Sequence, residues 1–238
     1  MQINFTTQNY WINLEKPAGI SSAKAVAIVK RLTRAKKVGH GGTLDPFADG
    51  ILPIAVNRAT KTAESMMQAR KKYSFRIQWG EFRDSDDIEG KVEQSSTARP
   101  QTAEIIAILP QFMGKTKQTP SKFSAIKING ERAYNLAREG IAFEMKLREV
   151  EIFSLKLISN NQDFCEIEVA CSKGTYVRTL ARDIATKLGV CGFVSQLTRL
   201  EVGDFIYENK ISLERLKNMV NFNEKFLDGS LLLLQDAT

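Results

Sequence analysis

Strand-like segments follow one another in this chain with too little between them for a helix to cross back over a sheet. Val150 to Ile158 and Cys165 to Cys171 show this best, since only a short polar stretch separates them. In the second of these, Cys165, Ile167, Val169 and Cys171 occupy every other position and so share one face. Parallel neighbours need a crossover of about a dozen residues or more, so such a pair is expected to be antiparallel. Tyr73, Phe75, Ile77 and Trp79 alternate with polar residues in the same way, and Tyr10 to Leu14, Ile51 to Val56 and Val194 to Val202 are further strand-like runs. Helices are predicted from Ser22, as the cap, to about Arg34, from Thr102 to Leu109, from about Thr175 to Leu188, and from Leu213 to Val220. Pro110 ends the second and Gly189 the third. The fold class implied is α+β, with a mostly antiparallel central sheet flanked by helices and not a doubly wound parallel one.

With 238 residues, 43% of them hydrophobic, there is material for one large core or two modest ones, which argues against disorder. A net charge of +7 makes nucleic acid the leading partner class and an anionic membrane surface the second. No apolar run approaches the roughly 18 residues of a spanning helix, so no membrane-embedded protein is expected. Met1 to Thr7 lacks the basic and apolar regions of an export signal, which points to the cytoplasm. Cys165, Cys171 and Cys191 are odd in number and lack C-x-x-C spacing, and His40 is the single histidine. Neither a disulfide framework nor a metal site is expected from that pattern.

The densest concentration of unusual backbone is Gly39-His40-Gly41-Gly42-Thr43-Leu44-Asp45-Pro46, followed by Gly50. Such a loop can wrap a ligand closely. It is not a phosphate cradle of the usual kinds, because no Lys-Ser or Lys-Thr follows at the required spacing and no G-x-G-x-x-G is present. Asp45 before Pro46 is also a good helix N-cap, so a structural role and a chemical one both stay open on the loop alone.

The loop stands among other motifs: Glu15-Lys16-Pro17-x-Gly19-x-Ser21-Ser22 before it, then Lys72-Tyr73, Pro120-x-x-Phe123-Ser124-Ala125-x-Lys127, and Cys171-Ser172-Lys173-Gly174-Thr175-Tyr176-Val177-Arg178-Thr179-Leu180. In this order they resemble the TruB family of tRNA pseudouridine synthases over about residues 10 to 236. The resemblance implies a pseudouridine-synthase fold, residues 1–238 forming a single catalytic domain, and isomerisation of uridine 55 in the tRNA T loop. The base is detached from the ribose at N1, turned, and rejoined through C5, a redox-neutral reaction for which no cofactor is implied.

By the same resemblance Asp45 is the catalytic carboxylate, facing the positive charge that develops on the sugar. Arg178 is its guanidinium partner, holding it ionised and oriented; taken without the motif, Arg178 would be an ordinary ion pair on a helix surface. Tyr73 stacks on the extruded uracil and Leu200 packs against the other side of the base. His40 helps prise out the nucleotide, Tyr176 stands beside the arginine, and Lys16 supports the catalytic loop. Residues 120–149 are the insertion that clasps the T loop. Lys127 belongs to it, and with Lys115, Lys117, Lys122, Arg132, Arg70, Lys71, Lys72 and the cluster from Lys30 to Lys37 it offers phosphate contacts. The implied partner is tRNA through its T stem-loop, with no membrane, no protein partner and a monomeric enzyme. The competing reading is a non-catalytic tRNA-binding or tRNA-folding protein using the same basic surface.

The chain departs from the family pattern in three places. Gly41 stands where threonine is usual, Phe123 where tyrosine is common, and Thr238 ends the chain where relatives continue into a PUA-like domain, so no such domain is expected.

Overall fold

A computed structural model describes residues 6–222 and 231–233. Met1–Phe5 and Thr238, on which two of the expectations above rest, lie outside them. The chain forms two compact units, one built from residues up to Tyr73 and from Leu197 onward, the other from Ser74–Gln196. The first opens with β1 (Tyr10–Lys16), α1 (Ser22–Thr33), β2 (Val38–His40), β3 (Asp49–Val56) and α2 (Ala63–Gln68). Strand β4 (Lys71–Trp79) leads into the second unit, where β5 (Glu81–Arg83), β6 (Val92–Ser95), α3 (Thr102–Ile108) and β7 (Gly114–Gln118) follow. Next come β8 (Lys127–Ile128), β9 (Glu131–Arg132), α4 (Ala133–Arg138), β10 (Arg148–Asn160), β11 (Phe164–Cys171) and α5 (Val177–Lys187). Strand β12 (Gly192–Val202) returns to the first unit, which adds β13 (Phe205–Ile206), β14 (Ile211–Ser212), α6 (Leu213–Phe222) and β15 (Leu231–Leu233).

In the first unit the strand order is β14-β1-β3-β12, with β15 on β1 and β2 on β3. β1 and β3 run antiparallel with Tyr10 opposite Val56 and Lys16 opposite Gly50, whereas β3 and β12 are parallel with Gly50 opposite Arg199. Alternate residues of β3 serve two cores. Leu52, Ile54 and Val56 pack with α1 and α6 through Ala25, Val29, Leu216 and Met219, while Ile51 and Ala55 pack with Trp11 and Phe205. That is why Ile51 to Val56 reads as continuously apolar: both faces are covered.

In the second unit the order is β4-β11-β10-β7, with β10 antiparallel to both of its neighbours. Burial alternates along β4 as its sequence does, and Cys165, Ile167, Val169 and Cys171 are all fully buried. Helices and a mixed, mostly antiparallel set of strands give the expected α+β class.

One local reading changes. Ser21, not Ser22, caps α1 by accepting from the Lys24 amide at 3.1 Å. Lys115 and Lys117 lie inside the sheet on β7, and the segment outside regular sheet pairing with β10 starts after Gln118 and ends at Arg148. Within it Asn129 and Gly130, both at positive φ, turn the β8–β9 hairpin, as an Asn-Gly pair favours. The acidic stretch from Asp84 to Gly90 is built of turns and bends, with Asp86 and Asp87 buried within it.

Candidate active site

The glycine-dense stretch connects β2 to β3, which are themselves paired, Val38 opposite Val56 and His40 opposite Ile54. Asp45 sits half-buried in this connection. No helix follows Pro46; instead the Asp45 carbonyl accepts from the Ala48 amide at 3.2 Å in a short turn, which removes the helix-cap alternative.

The backbone on either side of Asp45 is tied down by buried side chains. The Ser22 hydroxyl accepts from the Leu44 amide at 2.9 Å and donates to the Leu44 carbonyl at 3.0 Å, so this serine anchors the loop and leaves the capping of α1 to Ser21. The Pro46 carbonyl accepts from the Gly19 amide at 2.8 Å and from Lys16 Nζ at 3.3 Å. Lys16 is fully buried and also donates to the carbonyls of Pro17 and Ile20, both at 2.8 Å. Its ammonium thus ties the Pro46 side of the loop to the chain that follows β1. From the other side Arg199, 1% exposed, donates to the carbonyls of Ile51 (2.7 Å), Thr43 (3.1 Å) and Gly42 (3.1 Å). Irregular backbone cannot satisfy such carbonyls itself, and leaving them bare in the interior is costly.

His40 is half-buried, and its Nδ1 accepts from the Gly42 amide at 3.2 Å, which leaves the ring proton on Nε2. Burial, and secondarily the positive charge of Arg199, lower its pKa, so the ring is neutral at pH 7. At Gly41 a Cβ would fall 2.5 Å from Met66 Cγ and 3.3 Å from Trp11 Cζ3. Met66 thus fills the space that a threonine side chain would claim. Tyr73 lies on β4 with 9% of its surface exposed, and Leu200 is half-buried on β12 next to Arg199. Lys71, counted above among the phosphate contacts, is buried and donates to the carbonyls of Met67 and Ala69, both at 2.6 Å, so it holds the end of α2 instead. Lys30, Arg31, Arg34, Lys36 and Lys37 are exposed.

In the second unit Arg178 lies in the first turn of α5, only 4% exposed. One terminal nitrogen donates to Asp87 Oδ2 at 2.9 Å and to the Ser85 carbonyl at 3.0 Å, and the other to the Phe123 carbonyl at 3.1 Å. This is a buried, multiply bonded guanidinium, not the surface ion pair expected of the residue without its motif. Tyr176 precedes α5, half-buried, with its amide donating to Gln118 Oε1 at 3.0 Å. Lys127 is exposed on the β8–β9 hairpin, and Phe123 meets Arg178 through its carbonyl, so a tyrosine hydroxyl is not needed for that contact.

One turn of α5 further on, Arg182 pairs with Asp86 at 3.0 Å. Burial pushes the Asp86 carboxyl up to about 6, more than Arg182 and Arg178 pull it down. An acid whose folded pKa lies above its unfolded value binds protons more readily when folded, so its contribution to stability falls as pH rises from about 4 to 6. An Asp86→Asn variant should therefore gain on the parent by on the order of 3 kcal/mol over that window in urea unfolding, with a constant difference above pH 7. A gap that stays constant from pH 4 to 8 would mean that Asp86 titrates normally.

Comparison with known proteins gives a family description, TruB family pseudouridylate synthase (N terminal domain), that matches residues 30–177, and a second, tRNA pseudouridylate synthase B C-terminal domain, that matches 178–236. The chain belongs to the TruB family. A TruB-family protein of Bartonella tribocorum, named tRNA pseudouridine synthase B, is 46% identical over 92% of this chain and 68% of its own length. One of the same name from Mesorhizobium japonicum is 48% identical over 87% of this chain, which spans 64% of that protein. A solved Cbf5-Nop10-Gar1 complex contains a chain that superposes with a TM-score of 0.74 at 25% identity, covering 98% of this chain and 61% of that one.

The TruB resemblance did not by itself single out Asp87, Asp86 or Arg199. Asp84-Ser85-Asp86-Asp87 is an acidic cluster in a basic protein, a signal that buried cations are waiting for it. Arg199 gave no such signal. Among the described residues, no cluster of three or more histidine, cysteine or acidic groups is placed to hold a metal, and no helix is long and apolar enough to cross a membrane.

Proposed function

We propose that this chain is a tRNA pseudouridine synthase acting on uridine 55 of the T stem-loop, as a cytoplasmic monomer. The observation that carries the reading is the loop of Asp45: an acidic residue in irregular backbone, pinned on both sides by buried Lys16, Ser22 and Arg199, with no helix for it to cap. Such preorganisation is what charge stabilisation at a reacting sugar requires. In the reaction the N1–C1′ bond breaks and a C5–C1′ bond forms. The C5 hydrogen leaves as a proton, and N1 acquires one. Asp45 supplies the negative charge against which positive charge builds on the sugar, and Arg178 is assigned to keep that carboxylate ionised. Tyr73 and Leu200 are assigned to the faces of the extruded base, and neutral His40 to the gap that the base leaves. Tyr176, heading α5, is assigned to the substrate beside Arg178.

Release of tritium from C5-labelled uridine in a bare T-stem-loop tests this directly. Turnover is expected, whereas a protein that only binds or folds tRNA releases none.

Residues 120–149 are assigned to clasp the RNA, with Lys122, Lys127 and Arg132 exposed along them for phosphate contacts. Thr119 to Phe123 and Phe143 to Met145, near its two ends, line a cavity of about 730 Å³ together with Arg83, Asp86 and Arg182. Apart from the β8–β9 hairpin and the short α4 helix the segment is irregular, and most of its residues are exposed or half-buried. Its backbone amides should gain hydrogen-exchange protection when a T-stem-loop binds; unchanged protection would refute the clasp.

A further inference from the structure

Arg199 is among the largest fully buried side chains, and among the described residues no carboxylate pairs with it. A guanidinium is expensive to remove from water, and an apolar side chain would fill the same space at no such cost. What the charge obtains instead is three carbonyl oxygens, and their positions are informative. Gly42 and Thr43 lie on the chain leading to Asp45, and Ile51 lies on the chain leading away. The planar fork of arginine can hold both limbs at once, which a lysine ammonium on a flexible stem does less well. Gly50 closes the arrangement, because it packs directly against the Arg199 backbone, its absent Cβ being 2.3 Å from the Arg199 carbonyl oxygen.

We propose that Arg199 is a positioning residue for the isomerisation, fixing the catalytic loop by bridging the Gly42, Thr43 and Ile51 carbonyls so that Asp45 meets the sugar in reactive geometry. This rests on the function proposed above. Ser22 and Lys16 reach the loop at Leu44 and Pro46, the immediate neighbours of Asp45; on the glycine limb the Gly41 amide donates to the Pro53 carbonyl at 2.8 Å and the Gly42 amide to His40, and it is Arg199 that takes the Gly42 and Thr43 carbonyls. A displacement of about 1 Å in a catalytic group can cost on the order of 100-fold in rate, so loosening that limb should be felt in the chemistry more than in RNA binding.

The chain provides its own reporter. His40 is its single histidine, it sits on the same limb, and it accepts from the Gly42 amide whose carbonyl Arg199 holds. The test compares the full-length parent with Arg199→Lys and Arg199→Met, measuring kcat and KM for tritium release from a T-stem-loop and the NMR titration of the His40 ring. Arg199→Lys should lower kcat by about 10- to 100-fold with KM within threefold. Arg199→Met should lower kcat further, and in the folded protein the His40 titration should move up toward that of an ordinary histidine. Should the methionine variant not fold, the lysine variant decides by its kcat alone. A folded variant of either kind with kcat within threefold of the parent overturns the proposal, as does a loss confined to KM or an unmoved His40 titration in the folded methionine variant. If the parent itself releases no tritium, the proposed function fails, and the His40 titration in Arg199→Lys, which keeps the positive charge, decides whether Arg199 orders the loop: a rise toward an ordinary histidine supports it and an unmoved titration overturns it.

Discussion

Asp45→Asn should lower C5-tritium release from a T-stem-loop by on the order of 10³-fold or more while RNA binding stays within about threefold of the parent. The substitution preserves the size of the side chain, and the ties that Lys16, Ser22 and Arg199 make to the loop run through backbone groups of Gly42, Thr43, Leu44, Pro46 and Ile51. The negative charge is lost. A neutral amide cannot balance the positive charge that grows on C1′ as the N1 bond lengthens, and 10³-fold in rate corresponds to about 4 kcal/mol of lost transition-state stabilisation. Binding should be spared because affinity for folded RNA is dominated by phosphate contacts, which are assigned above to exposed lysines and arginines away from Asp45 in sequence, Lys122, Lys127 and Arg132 among them. Turnover near that of the parent would take Asp45 out of the chemistry. Collapse of both turnover and binding would make it a structural residue of the loop.

The alternation in β4 and in β11 as far as Val169 was legible in the sequence because one residue in two is buried there, and a period of two survives translation into structure. The helix boundaries were legible to within a few residues for the same kind of reason: Gly189 at φ +70 and Pro110 act locally. The assignment proposed for Asp45 rests on its company in the sequence. Nothing in Leu44-Asp45-Pro46 alone separates a cap from a carboxylate held for chemistry, since the decision depends on whether a helix follows. The roles of Arg199, Asp87 and Ser22 depend on partners far along the chain: Arg199 on Gly42, Thr43 and Ile51, Asp87 on Arg178, Ser22 on Leu44. Contacts of that separation leave no local period or spacing to read. Lys71 shows the opposite failure. Its neighbours Arg70 and Lys72 suggest a solvated basic run, but the strand alternation that buries Tyr73 buries Lys71 too, two residues away on the same face.

Gly50→Ala is expected to be the most damaging single methyl group that can be added to the loop. At φ +99 an L residue is strained wherever it sits, and here its Cβ would lie 2.3 Å from the Arg199 carbonyl oxygen and 2.7 Å from the Arg199 amide nitrogen. These are backbone atoms of a strand in parallel register with β3, Gly50 opposite Arg199, so no rotamer change relieves the overlap. Strain and overpacking of about 1–3 kcal/mol each suggest a combined loss near 4 kcal/mol, a large part of the stability of an ordinary domain. For a chain of this size that is a fall in Tm on the order of 10 °C. Gly19→Ala separates the two contributions. Gly19 has φ +81 but nothing within 4 Å of where its Cβ would be, so it carries the conformational penalty alone, about 1–2 kcal/mol. Equal losses in the two variants would show that β3 and β12 separate freely at this point. A loss at Gly50 several degrees greater, with turnover falling beyond what Gly19→Ala causes, is the result expected if the close approach of these strands sets the place from which Arg199 reaches the loop.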